Sequence, residues 1–202
     1  MPQLELFIGI WKHKMYGFFA LTFKNWSIFS NPTPQILLDC HNEVKLADFG
    51  GAFDAHKKKK STGLIGTPQY LAPEITNNQK ATAKADIFSL GIIFFEIMFE
   101  EEPYAEVSAH LIGNIYQEVA DENIKRRPII PDDFEYSENP VILRQQREFV
   151  SFMKFCWRHD PETRPSSVEI LKTANGWVQQ LKEAKNVADT PSKLFATLSK
   201  KK

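Results

Sequence analysis

Gly66-Thr67-Pro68-Gln69-Tyr70-Leu71-Ala72-Pro73-Glu74 decides how the rest of the chain reads. Upstream of it stands Val44-Lys45-Leu46-Ala47-Asp48-Phe49-Gly50. Downstream come Asp86-Ile87-Phe88-Ser89-Leu90-Gly91, then Cys156-Trp157, then Asp160-Pro161-Glu162-Thr163-Arg164-Pro165-Ser166. Asp-Phe-Gly alone arises by chance too often to carry weight. The ordered set is specific, because each part must follow the last at a workable distance.

Around these motifs the chain is mostly helical. Ile36-Leu37-Leu38 and Val44–Ala47 read as two short strands about the turn Asp39-Cys40-His41-Asn42. Residues 51–66 read as a loop with Gly51, Gly63 and Gly66 and the run Lys57–Lys60. Residues 86–99 are apolar on nearly every side, which marks a buried helix. Phe149, Phe152, Met153 and Cys156 recur at helical spacing and predict a helix over 144–157. Another is predicted from Ser166 or Ser167 as N-cap to Lys172, with Glu169 in its first turn. Trp177, Val178, Leu181 and Ala184 keep helical spacing in a basic tail that ends Lys200-Lys201-Lys202. The aromatic-rich residues 1–30 show no clear period.

Composition limits the function classes. The 202 residues hold 25 Lys+Arg against 25 Asp+Glu, a net charge of zero. A general electrostatic nucleic-acid binder needs a cationic surplus, so that class is not expected. Hydrophobic residues make up 43%, 16 of them Phe, enough to build a core rather than a disordered chain. The most apolar run, Ile87–Phe95, falls well short of the roughly 20 residues a membrane span needs. Met1-Pro2-Gln3-Leu4-Glu5 has no basic region ahead of an apolar one, so no secretory leader is expected. Cys40 and Cys156 form neither a zinc pattern nor a disulfide framework. Free thiols and a cytoplasmic location are the expectation.

The ordered motifs resemble those of eukaryotic protein kinases of the serine/threonine type, over about residues 35–172. Cys156-Trp157, Asp160-Pro161 and Arg164-Pro165, with Arg127-Pro128-Ile129-Ile130-Pro131 upstream, are similar to the tyrosine-kinase-like group. The resemblance implies a mainly α fold: the helical lower lobe of a kinase domain with a small β-ribbon near 36–47, the upper lobe absent or replaced. It divides the chain into an unassigned lead (1–34), the lobe (35–172) and a basic helical tail (173–202). It implies ATP and Mg2+ as cofactors and a protein as substrate or partner. Asp48 would hold Mg2+, since a hard cation takes carboxylate oxygen. Phe49 would pack inward and Gly50 would let the backbone turn. Residues 51–66 would be the activation loop; Ser61 and Thr62 read equally as phosphosites and as part of a solvated basic loop. Thr67 would position the substrate hydroxyl, or serve as a turn residue before Pro68. Ala72, Pro73 and Glu74 close the segment, and Glu74 would pair with Arg164 in a buried structural ion pair. Asp86 would hold catalytic-loop backbone, cap the buried helix, or do both.

Four further kinase parts are not found in these residues. No G-x-G-x-x-G string is present, and Lys12 stands too close to Asp48 to be the strand lysine. The catalytic-loop slots hold Ile28-Phe29-Ser30 where the family has His-Arg-Asp, and Gln35 where it has Asn. Ser30 cannot accept a proton as a carboxylate does at neutral pH. Loss of a general base costs roughly 10²–10⁴ in rate. Gln35 is a second metal ligand only with an added methylene to accommodate. The chain as it stands is therefore expected not to transfer phosphate. A pseudokinase-like module that binds or scaffolds a protein partner is the competing expectation.

Overall fold

A computed structural model describes residues 66–108 and 110–199, with side chains to residue 183, together with residue 52 and four short upstream strands described by backbone alone. Strand β1 (Trp26–Ser27) pairs antiparallel with β4 (Phe53–Asp54). Strand β2 (Ile36–Leu38) pairs antiparallel with β3 (Val44–Leu46), Ile36 opposite Leu46 and Leu38 opposite Val44. The helices are α1 (Pro73–Thr76), α2 (Ala83–Phe99), α3 (Ile115–Ala120), α4 (Pro140–Cys156) and α5 (Ser167–Ser199).

The helix starts show where local chemistry outruns periodicity. Helix α2 begins at Ala83, not at Asp86, because the Thr82 hydroxyl accepts the Lys84 backbone N–H at 3.3 Å and takes the cap. Asp86 lies instead in the first turn, where a carboxylate complements the helix dipole. Helix α4 begins at Pro140 rather than 144. Asn139 caps it, its side-chain oxygen accepting from Val141 N–H at 2.9 Å and Ile142 N–H at 3.3 Å. Pro140 occupies a first-turn position, where its missing N–H costs nothing. Helix α5 opens with a reciprocal cap: Ser166 N–H donates to Glu169 Oε2 at 2.7 Å, and Glu169 N–H to Ser166 Oγ at 3.3 Å. It then runs without a break through residues 172–173.

Helix α2 is the axis of the core. Phe88, Ile92, Phe94 and Phe95 on it are fully buried, as are Phe149, Met153 and Cys156 on α4 and Ile170 on α5. Phe94 and Phe149 stack with centroids 5.2 Å apart, and Phe149 meets Trp177 edge-on at 5.9 Å, so one aromatic row joins α2, α4 and α5. Trp177, Val178 and Leu181 of α5 all lie in this buried set. Gly91 lets α2 approach the end of α4. A Cβ there would stand 3.0 Å from Cys156 Cβ and 3.1 Å from the Trp157 backbone nitrogen. No helix among the described residues is long and apolar enough to cross a membrane.

Candidate functional site

The motif that opened the sequence lies along α2. Thr67, half-buried, heads a 3-10 turn over Pro68–Tyr70, its carbonyl accepting the Tyr70 N–H at 3.0 Å. The Tyr70 hydroxyl donates to Glu96 Oε1 at 2.6 Å, and Ser89 Oγ donates to the Tyr70 carbonyl at 2.8 Å. Both partners sit on α2, so this part of the segment is fastened at two points. Burial, with the bond to Glu96 and the charges of Glu96 and Glu102, raises the Tyr70 hydroxyl above its ordinary pKa. Burial also raises the Glu96 carboxyl; the Tyr70 bond opposes that rise and Glu102 adds to it. Leu71, Ala72 and Pro73 then turn inward and are buried.

Glu74 and Arg164 form the centre of the site. They are 3% and 2% exposed. Arg164 Nη1 donates to Glu74 Oε1 at 2.7 Å and Nη2 to Oε2 at 2.8 Å, a bidentate pair. The remaining guanidinium donors reach three carbonyls: Nε to Arg158 at 2.8 Å, Nη1 to Lys84 at 2.8 Å and Nη2 to His159 at 2.9 Å. All five N–H groups of this side chain are thereby matched. Lys84 Nζ returns the favour by donating to the Arg164 carbonyl. The guanidinium carbon also lies 5.1 Å from the Phe88 ring centroid.

Arg127 is a second, half-buried cation that the sequence motifs did not single out by role. Its Nε donates to the Trp157 carbonyl at 2.7 Å, its Nη1 to the Arg126 carbonyl at 2.6 Å, and its guanidinium carbon lies 4.8 Å from the Phe88 centroid. Burial pushes its pKa down to about 10; Tyr104 and Glu74 oppose the fall and Arg164 adds to it. The signal for it was an arginine set directly before Pro128-Ile129-Ile130-Pro131, an apolar setting for a surface charge. The structure thus brings together Ala72, Pro73, Glu74 and Arg164, with Asp86 half-buried in the first turn of α2. Ser30, Gln35, Asp48, Phe49, Gly50, Ser61 and Thr62 lie outside the described residues.

A protein kinase domain model matches residues 33–175. The chain belongs to the protein kinase family. This kinase chain is 34% identical over 142 residues to the probable serine/threonine-protein kinase drkC of Dictyostelium discoideum. It is 35% identical over 140 residues to the dual specificity protein kinase shkB of the same organism. It is 33% identical over 141 residues to a putative mitogen-activated protein kinase kinase kinase 7-like protein of Drosophila melanogaster. These matches cover 68%, 68% and 70% of the chain, but 17%, 19% and 33% of the relatives. The chain therefore spans less than a fifth of the length of the two Dictyostelium kinases.

Kinases as a family use ATP and Mg2+. Asp48, Gln35 and Ser30, which the motif resemblance sets in the slots of two metal ligands and the proton acceptor, are not among the described residues. The described residues fasten Thr67–Glu74 to α2 and to Arg164.

Proposed function

We propose that the chain is the helical, substrate-side lobe of a serine/threonine protein kinase domain, with residues 35–172 as the lobe, 1–34 as a lead and 173–202 as a basic helical tail. In this reading Asp48 is a Mg2+ ligand and Gln35 a poor second one. Phe49 and Gly50 begin the activation segment, Ser61 and Thr62 offer hydroxyls for phosphorylation, and Thr67 faces the acceptor hydroxyl of a protein substrate. Asp86 supports catalytic-loop backbone. The observation that carries the reading is the saturated Glu74–Arg164 pair, which anchors the end of that segment to the helical body. The proposed location is the cytoplasm.

Ser30 in the base slot favours a binding role over a catalytic one for these 202 residues. The chain is expected to fold, to show no ATP-dependent thermal shift, and to incorporate no label from [γ-phosphate]-labelled Mg-ATP into itself or a Ser/Thr peptide library. Incorporation that disappears in Asp48→Ala would overturn the inactive assignment and restore phosphoryl transfer.

A further inference from the structure

A groove of about 810 Å³ runs between α4 and α5. That volume suits a few residues of a bound segment. Its floor is aromatic. Phe152 and Trp177 meet edge to face with centroids 5.4 Å apart, and Phe155 lies 6.5 Å from Phe152. Its rim is cationic, formed by Arg144, Arg147 and Arg158.

Glu148 is the one carboxylate among the lining residues, and both of its oxygens are engaged. Arg144 Nε donates to Oε1 at 2.8 Å, and the Trp177 indole N–H donates to Oε2 at 3.1 Å. Those bonds also fix the indole in the floor. Arg158 lies over the Phe155 ring at 4.3 Å, which orients its plane and leaves its edge donors unmatched among the described residues. Arg147 is exposed and has no ion pair or hydrogen bond among the described residues. The groove therefore carries two uncompensated guanidiniums beside an apolar floor. Guanidinium forks match carboxylates two bonds at a time, which a lone ammonium does not.

We propose that this groove binds an acidic peptide segment of a partner protein. An apolar side chain of the segment lies on Phe152 and Trp177, and flanking Asp or Glu side chains pair with Arg147 and Arg158. Binding here needs neither Asp48 nor ATP, so its failure would leave the kinase-lobe reading intact.

The test is fluorescence anisotropy of the full 202-residue chain with fluorescein-labelled Asp-Glu-Phe-Glu-Asp. The neutral version, Asn-Gln-Phe-Gln-Asn, is expected to bind at least about tenfold more weakly, and replacing its central Phe by Ala in the acidic version should weaken binding too. The double variant Arg147→Ala/Arg158→Ala should lose about tenfold or more with its melting curve unchanged, since both side chains are exposed. Arg147→Lys/Arg158→Lys should retain part of the affinity. Added salt should weaken the acidic peptide and leave the neutral one unmoved. No binding, equal binding of both peptides, or full binding by the double Ala variant would overturn the proposal. So would displacement of the peptide by a short RNA at lower concentration, which would make the groove a polyanion site.

Discussion

Arg164 owes its place in the interior to complete hydrogen bonding, not to charge pairing alone. Its five donors meet two carboxylate oxygens and three carbonyls. Removing one partner leaves a buried charge uncompensated, which costs about 3–5 kcal/mol. Arg164→Ala and Glu74→Ala are each expected to lose about that much in urea denaturation. Arg164→Lys should not recover it, because an ammonium cannot span both Glu74 oxygens and the three carbonyls. A second prediction concerns Glu169. Bonds from the Ser166 hydroxyl and N–H, with a smaller pull from Lys84, hold its carboxyl below the ordinary carboxylate range. A carboxyl with a lowered folded pKa contributes stability above its unfolded pKa of about 4.3 and loses it as pH falls through the folded value. The Tm gap between the native chain and Glu169→Gln should therefore be widest near neutrality and narrow as pH falls below the ordinary carboxylate range. Glu74 and Arg164 were legible as residues because each sits in a motif with fixed neighbours. Arg127 was legible as part of a motif but not in its role, because nothing in its sequence neighbourhood says that it reaches the Trp157 carbonyl.

At the scale of elements, α2 and α4 approach closely at Gly91. Gly91→Ala would place a methyl 3.0–3.2 Å from Cys156 Cβ, the Trp157 nitrogen and Trp157 Cβ. Overpacking of this kind costs about 1–3 kcal/mol, against at most about 1 kcal/mol gained in helix propensity. A net loss of about 1–2 kcal/mol is expected in urea melts. Gly176→Ala is the counterpart: a Cβ there meets nothing within 4 Å, and it should gain up to about 1 kcal/mol. The apolar run of α2 was readable from its all-round apolarity and that of α4 from its period, but their starts were not. Thr82 and Asn139 act through side-chain capping bonds that periodicity does not register. Pro140 reads as a breaker in sequence and serves as a starter in the fold, because the first turn is where a missing N–H is harmless.

At the scale of the whole molecule, α5 ties the basic tail into the core. Trp177, Val178 and Leu181 lie beyond residue 172 and are 5%, 8% and 2% exposed. Losing one buried Trp costs about 3–5 kcal/mol, and a domain has about 5–15 kcal/mol in all. A chain ending at Lys172 is expected to lose its cooperative thermal transition by circular dichroism. The motif resemblance ends near 172 and sets the division there, yet the helix continues past it, with Asn175 and Gly176 on its exposed side. The kinase family was legible from ordered motifs far apart in the chain, whereas the groove between α4 and α5 was not. Phe152, Phe155 and Trp177 are ordinary core-forming residues in sequence, and only helix packing turns them toward one another.

The bond between Glu74 and Arg164 also has a meaning in time. Its ends are 90 positions apart, with α2, α3 and α4 strung between them. Closing so long a loop costs chain entropy early, and only an already assembled body can reward it. On that ground the clasp is expected to shut late on the way in and to open early on the way out. Glu74→Ala is then expected to speed unfolding in stopped-flow urea jumps while leaving the folding rate nearly unchanged.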